Sequence, residues 1–427
     1  MQMETSTRSS ALQAASLRGD VRLEARVRQR AKKLRIGFFG YFGSGNSGND
    51  GSLETMLQRV RARYPDAEIL CICAEPEKVG PRLAVDCVRI NWRPGSRALQ
   101  NLDRQLRNIP REVATLVHGI AILRTIDLLI IPGTGVLDDF CTGPRGMPYW
   151  LFRWSLLARL TGTRVAFVSI GAGPIHHPLS RWMMKMAARL ASYRSYRDRY
   201  SLEYMRSIGL DVGSDYVFPD VAFALPEPVG ARQPSEEGER VTVAVGIMYY
   251  NGWRGGQHGQ SIYEDYLRKM QHFIDWLLQD GYGVRVILGD GIDQSTLAFF
   301  ERYLQTSLQG NAKPTAAPAE TLHDVMGQLA EADAVVATRY HNVVCALKLG
   351  RPTLSIGYAT KNEELMAEMG LADFCQHIER LDVDQLIAQF RKLISERKNY
   401  ERRIRETTAR FKDRLREQDD LLFSHYF

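Results

Sequence analysis

The chain has 427 residues, 44% hydrophobic and 25% charged, too long for one core and too apolar in composition to be disordered. No apolar run approaches the roughly 20 residues needed to span a bilayer, and no apolar leader segment follows Met1, so the expectation is a cytoplasmic protein. A formal charge of +7 calls for an anionic partner, but the basic residues carry no nucleic-acid module and no interleaved aromatics, which excludes nucleic acid.

Residues 1–33 read as a basic, helix-prone lead-in, with Arg18, Arg22, Arg26, Arg28, Arg30, Lys32 and Lys33 on a face suited to solvent or to anionic headgroups. A first α/β series, over 34–227, opens with a strand at 34–39 and continues as helix 52–64, strand 68–73, strand 128–132, helix 149–161, strand 164–170 and helix 181–192. Pro226, Pro228, Gly230, Pro234 and Gly238 then mark a linker. The second series, over 238–380, gives strand 241–246, helix 263–279, strand 283–288 and helix 294–306. Strand 334–337, helix 342–349 stopped by Gly350, and strand 353–356 complete it. A long charged helix at about 382–422, inside a closing segment 381–427, is placed to pack back across the first domain. The alternation predicts α/β architecture with two Rossmann-like domains facing across a cleft, glycosyltransferase-B-like; two independently docked domains would give the same periodicity. Six scattered cysteines form no disulfide framework. Cys71 and Cys73 share one face of their strand as buried small residues, and no metal site is expected.

The chemistry-bearing residues follow strand ends. After the first strand comes a glycine-rich turn with Gly45, Asn46, Gly48, Asn49 and Asp50, where backbone can approach a ligand and the polar side chains suit hydroxyl-rich molecules; Asp50 could equally cap the helix. Gly133, Gly135, Asp138 and Asp139 follow strand 128–132, and either carboxylate could act as a general base or cap a turn. Gly171 and Gly173 form a third turn, so three glycine turns converge on one sheet edge. Arg197 ends a short strand before a helix capped by Asp198, as an anion ligand or as a partner of Asp198 or Asp220. Arg339 and His341 arrive at the start of a helix after strand 334–337, a place suited to phosphate or carboxylate.

In this order the motifs resemble the polysaccharide pyruvyl transferase family over about residues 35–371. The pieces are the Gly40–Asp50 loop, Pro132–Asp139, Ile170–Pro174, Arg197-Asp198-x-x-Ser201, Pro219-Asp220, Arg339-x-His341, Gly350-x-Pro352 and Tyr358-x-x-Lys361. Asn49 stands where the family has Asp, and Pro132 and Thr134 replace two glycines. The resemblance implies phosphoenolpyruvate as co-substrate, with no other cofactor, and a sugar diol of a surface polysaccharide or its precursor as acceptor. The products would be a pyruvate ketal and phosphate. It implies Arg197 and Arg339 as anion ligands from opposite domains, His341 as the acid, Asp138 or Asp139 as the base, and Lys361 as added positive charge. The acceptor side falls to the first domain and the donor side to the second. A lipid-linked acceptor would bring the enzyme to the inner membrane face. A nucleotide-sugar glycosyltransferase of the same shape and a non-catalytic glycan-binding relative are the competing readings.

Overall fold

The computed structural model describes residues 33–426, except 107, 229–238, 254–258, 288–295, 297–314 and 318. Nearly all of the predicted lead-in, most of the linker and the helix at 294–306 lie outside the described residues.

Seven parallel strands form the first sheet. They are β1 (Arg35–Phe39), β2 (Glu68–Cys73), β3 (Asp86–Arg89), β4 (Leu128–Pro132), β5 (Arg164–Ile170), β6 (Tyr193–Tyr196) and β7 (Tyr216–Val217), in the order β3-β2-β1-β4-β5-β6-β7. β4 is buried along its whole length, which is why Leu-Leu-Ile-Ile reads as a continuous apolar run rather than an alternating one. The strand order reverses between β1 and β4, and the crevice that opens at such a reversal is where α/β sheets bind ligands. Helices cover both faces: α1 (Ser47–Arg63), α2 (Pro76–Leu83), α3 (Arg97–Gln105), α4 (Ile109–Leu123), α5 (Met147–Thr161), α6 (Pro178–Leu190) and α7 (Arg199–Ser207).

The second sheet repeats the plan. Strands β8 (Thr242–Gly246), β9 (Gly283–Ile287), β10 (Thr315–Ala317), β11 (Ala334–Ala337), β12 (Thr353–Gly357) and β13 (Cys375–His377) run parallel in the order β10-β9-β8-β11-β12-β13, with the reversal between β8 and β11. Its described helices are α8 (Gly259–Gln279), α9 (Leu322–Ala330), α10 (Tyr340–Lys348) and α11 (Thr360–Glu368).

Two boundaries differ from the sequence reading. The first helix begins at Ser47 rather than 52, because Asn46 accepts the Asn49 N–H as N-cap and the glycines that suggested a loop are small positions packed against the other domain. The closing helix is two helices, α12 (Val383–Ser395) and α13 (Arg397–Tyr426), broken at Glu396. In β3, Cys87 sits in register with Cys71, and the thiols of Cys71, Cys73 and Cys87 lie within 4.8 Å of one another. Hydrogen bonds from the other two hold the Cys87 thiol down at about 4, while burial pushes Cys71 up.

α13 ties the domains together. Thr408 Oγ1 donates to the Leu347 carbonyl in the second domain, 3.2 Å away. Further along, Gln418 Nε2 donates to Ser169 Oγ (2.8 Å) and Ser195 Oγ (2.9 Å), Arg59 pairs with Asp419, and Tyr64 meets Phe423 edge-on at 5.3 Å in the first domain. Phe423→Ala therefore leaves a cavity across this strap, and urea denaturation should show a loss of about 3–5 kcal/mol.

Candidate active site between the two domains

A cavity of ≈ 380 Å³ lies where the two strand reversals face each other, lined from the first domain by Asn46, Gly48, Gly135, Asp138 and Arg197, and from the second by Arg339, His341 and Lys361. Three helix N-termini reach it: the Asn46–Asn49 end of α1, Gly146 and Met147 of α5, and Arg339–His341 of α10. Neither α5 nor α10 has a side-chain cap, so their first N–H groups keep a partial positive charge of roughly half a unit each at the cavity wall.

Arg197 is almost fully buried and follows β6, where its backbone N–H donates to the Ile170 carbonyl. Its Nη1 donates to Asp220 Oδ2 at 3.3 Å, its Nε lies 3.6 Å from Asp198 Oδ2, and its guanidinium sits over the Tyr340 ring at 4.2 Å from the centroid. The expected pairing of Arg197 with Asp198 and Asp220 is present, and the same side chain lines the cavity. Those neighbouring charges outweigh desolvation and keep it cationic. Breaking a buried pair of this kind by removing one partner costs about 3–5 kcal/mol.

His341 stands on the first turn of α10, with its Nε2 3.9 Å from Asp220 Oδ2 and without a hydrogen-bond partner among the described residues. A Cβ at Gly48 would overlap the imidazole, so α1 and α10 approach from opposite domains only because residue 48 has no side chain. Burial is the main influence on His341. Together with the nearby Arg197 and Lys361 it outweighs the attraction of Asp220 and pushes the imidazole down to about 4, so the ring is neutral at pH 7. A proton donor at this position therefore needs a negative charge beside the ring to raise its value.

Asp138 accepts the Phe140 N–H at 3.1 Å, and burial pushes its carboxyl up despite Lys361 and Arg197. Asp139 points elsewhere. Its Oδ2 accepts the N–H groups of His176 and His177 at 2.8 Å each and holds that loop in place, outside the cavity lining. Asp50 is also turned away, accepting the Gly43 N–H at 2.8 Å and pairing with Arg82. Gly45 is an exposed turn residue with φ +97°. Gly133, Gly171 and Gly173 lie behind the lining: a Cβ there would strike Val221, the Arg197 guanidinium and the Tyr204 ring respectively. Lys361 lies over the Tyr358 ring at 4.7 Å from the centroid.

The lining also includes Tyr340, Tyr358, Trp150 and Cys141, which the sequence reading does not assign to the site, and Asp220, expected only as a partner of Arg197, also approaches His341. Tyr340 lies between Arg339 and His341, and its place in the sequence is a signal for it.

Two facing Rossmann-like domains with the site between them define a glycosyltransferase-B-like protein, and solved structures agree. The chain is similar to a Listeria monocytogenes protein described as a UDP-N-acetylglucosamine 2-epimerase (TM-score 0.58, 10% identity, 87% of this chain and 91% of that one). It is also similar to the UDP-GlcNAc 2-epimerase of Methanocaldococcus jannaschii (0.54, 12%, 84% and 92%) and to the lipopolysaccharide outer core galactosyltransferase WaaB (0.52, 13%, 92% and 100%). At such identities the likeness concerns the fold alone. No curated protein sequence matches the chain. The family model for polysaccharide pyruvyl transferase matches residues 46–360, most of the chain, and the protein belongs to that family.

The buried neutral histidine has a consequence for stability. Its folded value of about 4 lies below the ordinary 6.5, so the unfolded chain takes up the proton first and stability falls as pH drops from about 6.5 towards 4. The slope from this one group is about 1.4 kcal/mol per pH unit at most. Thermal melts across this range should show a shallower acid loss in His341→Gln than in the wild type.

Proposed function

We propose that the protein transfers the enolpyruvyl group of phosphoenolpyruvate onto two hydroxyls of a sugar, forming a pyruvate ketal and releasing phosphate. The reading rests on one observation above the family membership: Arg197, Arg339, Lys361 and three helix N-termini converge on a single small cavity that also holds a histidine and a carboxyl. Phosphoenolpyruvate carries a phosphate and a carboxylate on one carbon, and cations contributed by both domains suit two anions held a few ångströms apart.

In this mechanism the donor brings negative charge to a cavity lined by Arg197, Arg339 and Lys361. A phosphate beside His341 raises the imidazole value, and the ring takes up a proton that desolvation had excluded. Protonation of the methylene carbon by His341 then makes the C2 centre oxocarbenium-like, and the first sugar hydroxyl adds to it while Asp138 accepts the hydroxyl proton. The C2–O bond to phosphate breaks next, and the second hydroxyl closes the ketal. Of the two hydroxyl protons, one replaces the proton given to the new methyl group and the other leaves on phosphate. Arg197 is already committed to Asp220, so its part is to orient the donor and to hold Asp220 near His341.

Asp138 lines the cavity while Asp139 is bound to two backbone N–H groups outside it, which supports Asp138 over Asp139 as the base. Asp138→Asn should lower kcat by about 10²–10⁴-fold. Asp139→Asn should lower stability with kcat changed far less. Phosphate release from phosphoenolpyruvate in the presence of pyranoside diols, with a product mass raised by one pyruvate ketal, tests the reaction. Binding of a nucleotide sugar with no phosphoenolpyruvate-dependent phosphate release would overturn it.

A further inference from the structure

α4 is polar neither inside nor out. Its buried side is Thr115, Gly119, Ile122 and Leu123, yet on the opposite side Ile109, Val113 and Val117 follow one another at helical spacing and are 63%, 54% and 63% exposed. Leu106, in the turn before it, is also exposed, and an apolar groove of ≈ 810 Å³ runs between Trp92 and this stripe. Leu160 of α5 and Leu179 and Trp182 of α6 continue the exposure along the same helical layer. Elsewhere among the described residues, only Tyr41 and Tyr216 are large apolar side chains as open to solvent. Apolar surface gathered on one layer, rather than scattered, marks a contact face.

Charge says what covers it. Between Arg93 and Arg124 the sequence carries six arginines against two carboxylates. Both carboxylates are already engaged: Asp103 accepts the Arg111 N–H, and Glu112 accepts from Tyr149 Oη and Arg153 Nη1. Among the described residues Arg93, Arg104 and Arg124 are exposed, so the charge that flanks the stripe along the chain is positive. A second copy would bring like charge against like, and the chain's own residues 1–32 are themselves net positive. An anionic phospholipid surface satisfies both the apolar stripe and its positive flanks.

The face also leads to the site. Glu112 of α4 is bonded to Tyr149 on the first turn of α5, and the neighbouring Met147 and Trp150 line the cavity, with Trp150 against Tyr41. We infer that the α3–α4 face seats the protein on an anionic bilayer, so that the acceptor sugar enters the cavity while still attached to a lipid. This rests on the proposed transfer for the word acceptor, but the docking itself needs no donor.

Flotation with vesicles of phosphatidylcholine alone and of phosphatidylcholine mixed with phosphatidylglycerol tests the docking with the full chain. The wild type should float with the anionic vesicles and much less with the neutral ones. Val113→Glu/Val117→Glu should bind at least about tenfold more weakly, and Arg104→Glu should weaken binding in a salt-sensitive way. Circular dichroism checks that the double variant is folded, and turnover on a short water-soluble diol should match the wild type. Wild-type protein that does not float, variants that float as it does, or a concentration-dependent dimer abolished by Val113→Glu/Val117→Glu would each overturn the inference. Loss of flotation leaves phosphate release from phosphoenolpyruvate to be judged separately.

Discussion

The Arg197–Asp220 pair is the contact around which the site is built. It is buried in the first domain, covered by the Tyr340 ring of the second, and faces His341 across 3.9 Å. An ion pair in such surroundings recovers its desolvation cost only with good geometry, and the geometry here depends on both domains being in place. Gly171 leaves room behind the guanidinium, and Gly48 leaves room for the imidazole. Domain closure and the charge state of the cavity are therefore one problem rather than two.

Closure in turn is held from behind. Lys348, buried on α10, donates to the Phe223 carbonyl, and Phe411 of α13 meets Phe223 edge-on at 5.1 Å. α13 then crosses to the first domain, where Gln418 bonds two serine hydroxyls beneath β5 and β6. These contacts fix Phe223, three residues after Asp220, and the strand β6 that leads to Arg197, so the strap steadies the carboxylate that Arg197 and His341 share.

Much of this was legible in the sequence because buried parallel strands are continuous apolar runs, and Leu128–Pro132 and Ala334–Ala337 stand out as such. Arg339 and His341 stand just past the end of the second of these strands, where topology puts a ligand site. Other features depend on what packs against them. Gly48 and Gly51 look like loop residues, but the space left by their missing side chains is filled by His341 and Leu322, and the helix starts at Ser47. Asp138 and Asp139 are adjacent in sequence, and only the backbone N–H groups of His176 and His177 decide which one turns inward. Between strands 68–73 and 128–132 the sequence reading assigns no element, whereas the structure has α2, β3, α3 and α4, the last apolar on two sides. Cys87 likewise joins Cys71 and Cys73 through strand register, which spacing does not reveal.

The central claim is that a dianionic donor, by binding, converts a desolvated neutral His341 into the proton donor. Calorimetric titration of phosphoenolpyruvate at about pH 7.5 in buffers of different ionisation enthalpy measures the protons taken up on binding. The account predicts that the wild type takes up close to one proton more than His341→Gln. Binding with the same proton stoichiometry in both proteins would contradict it.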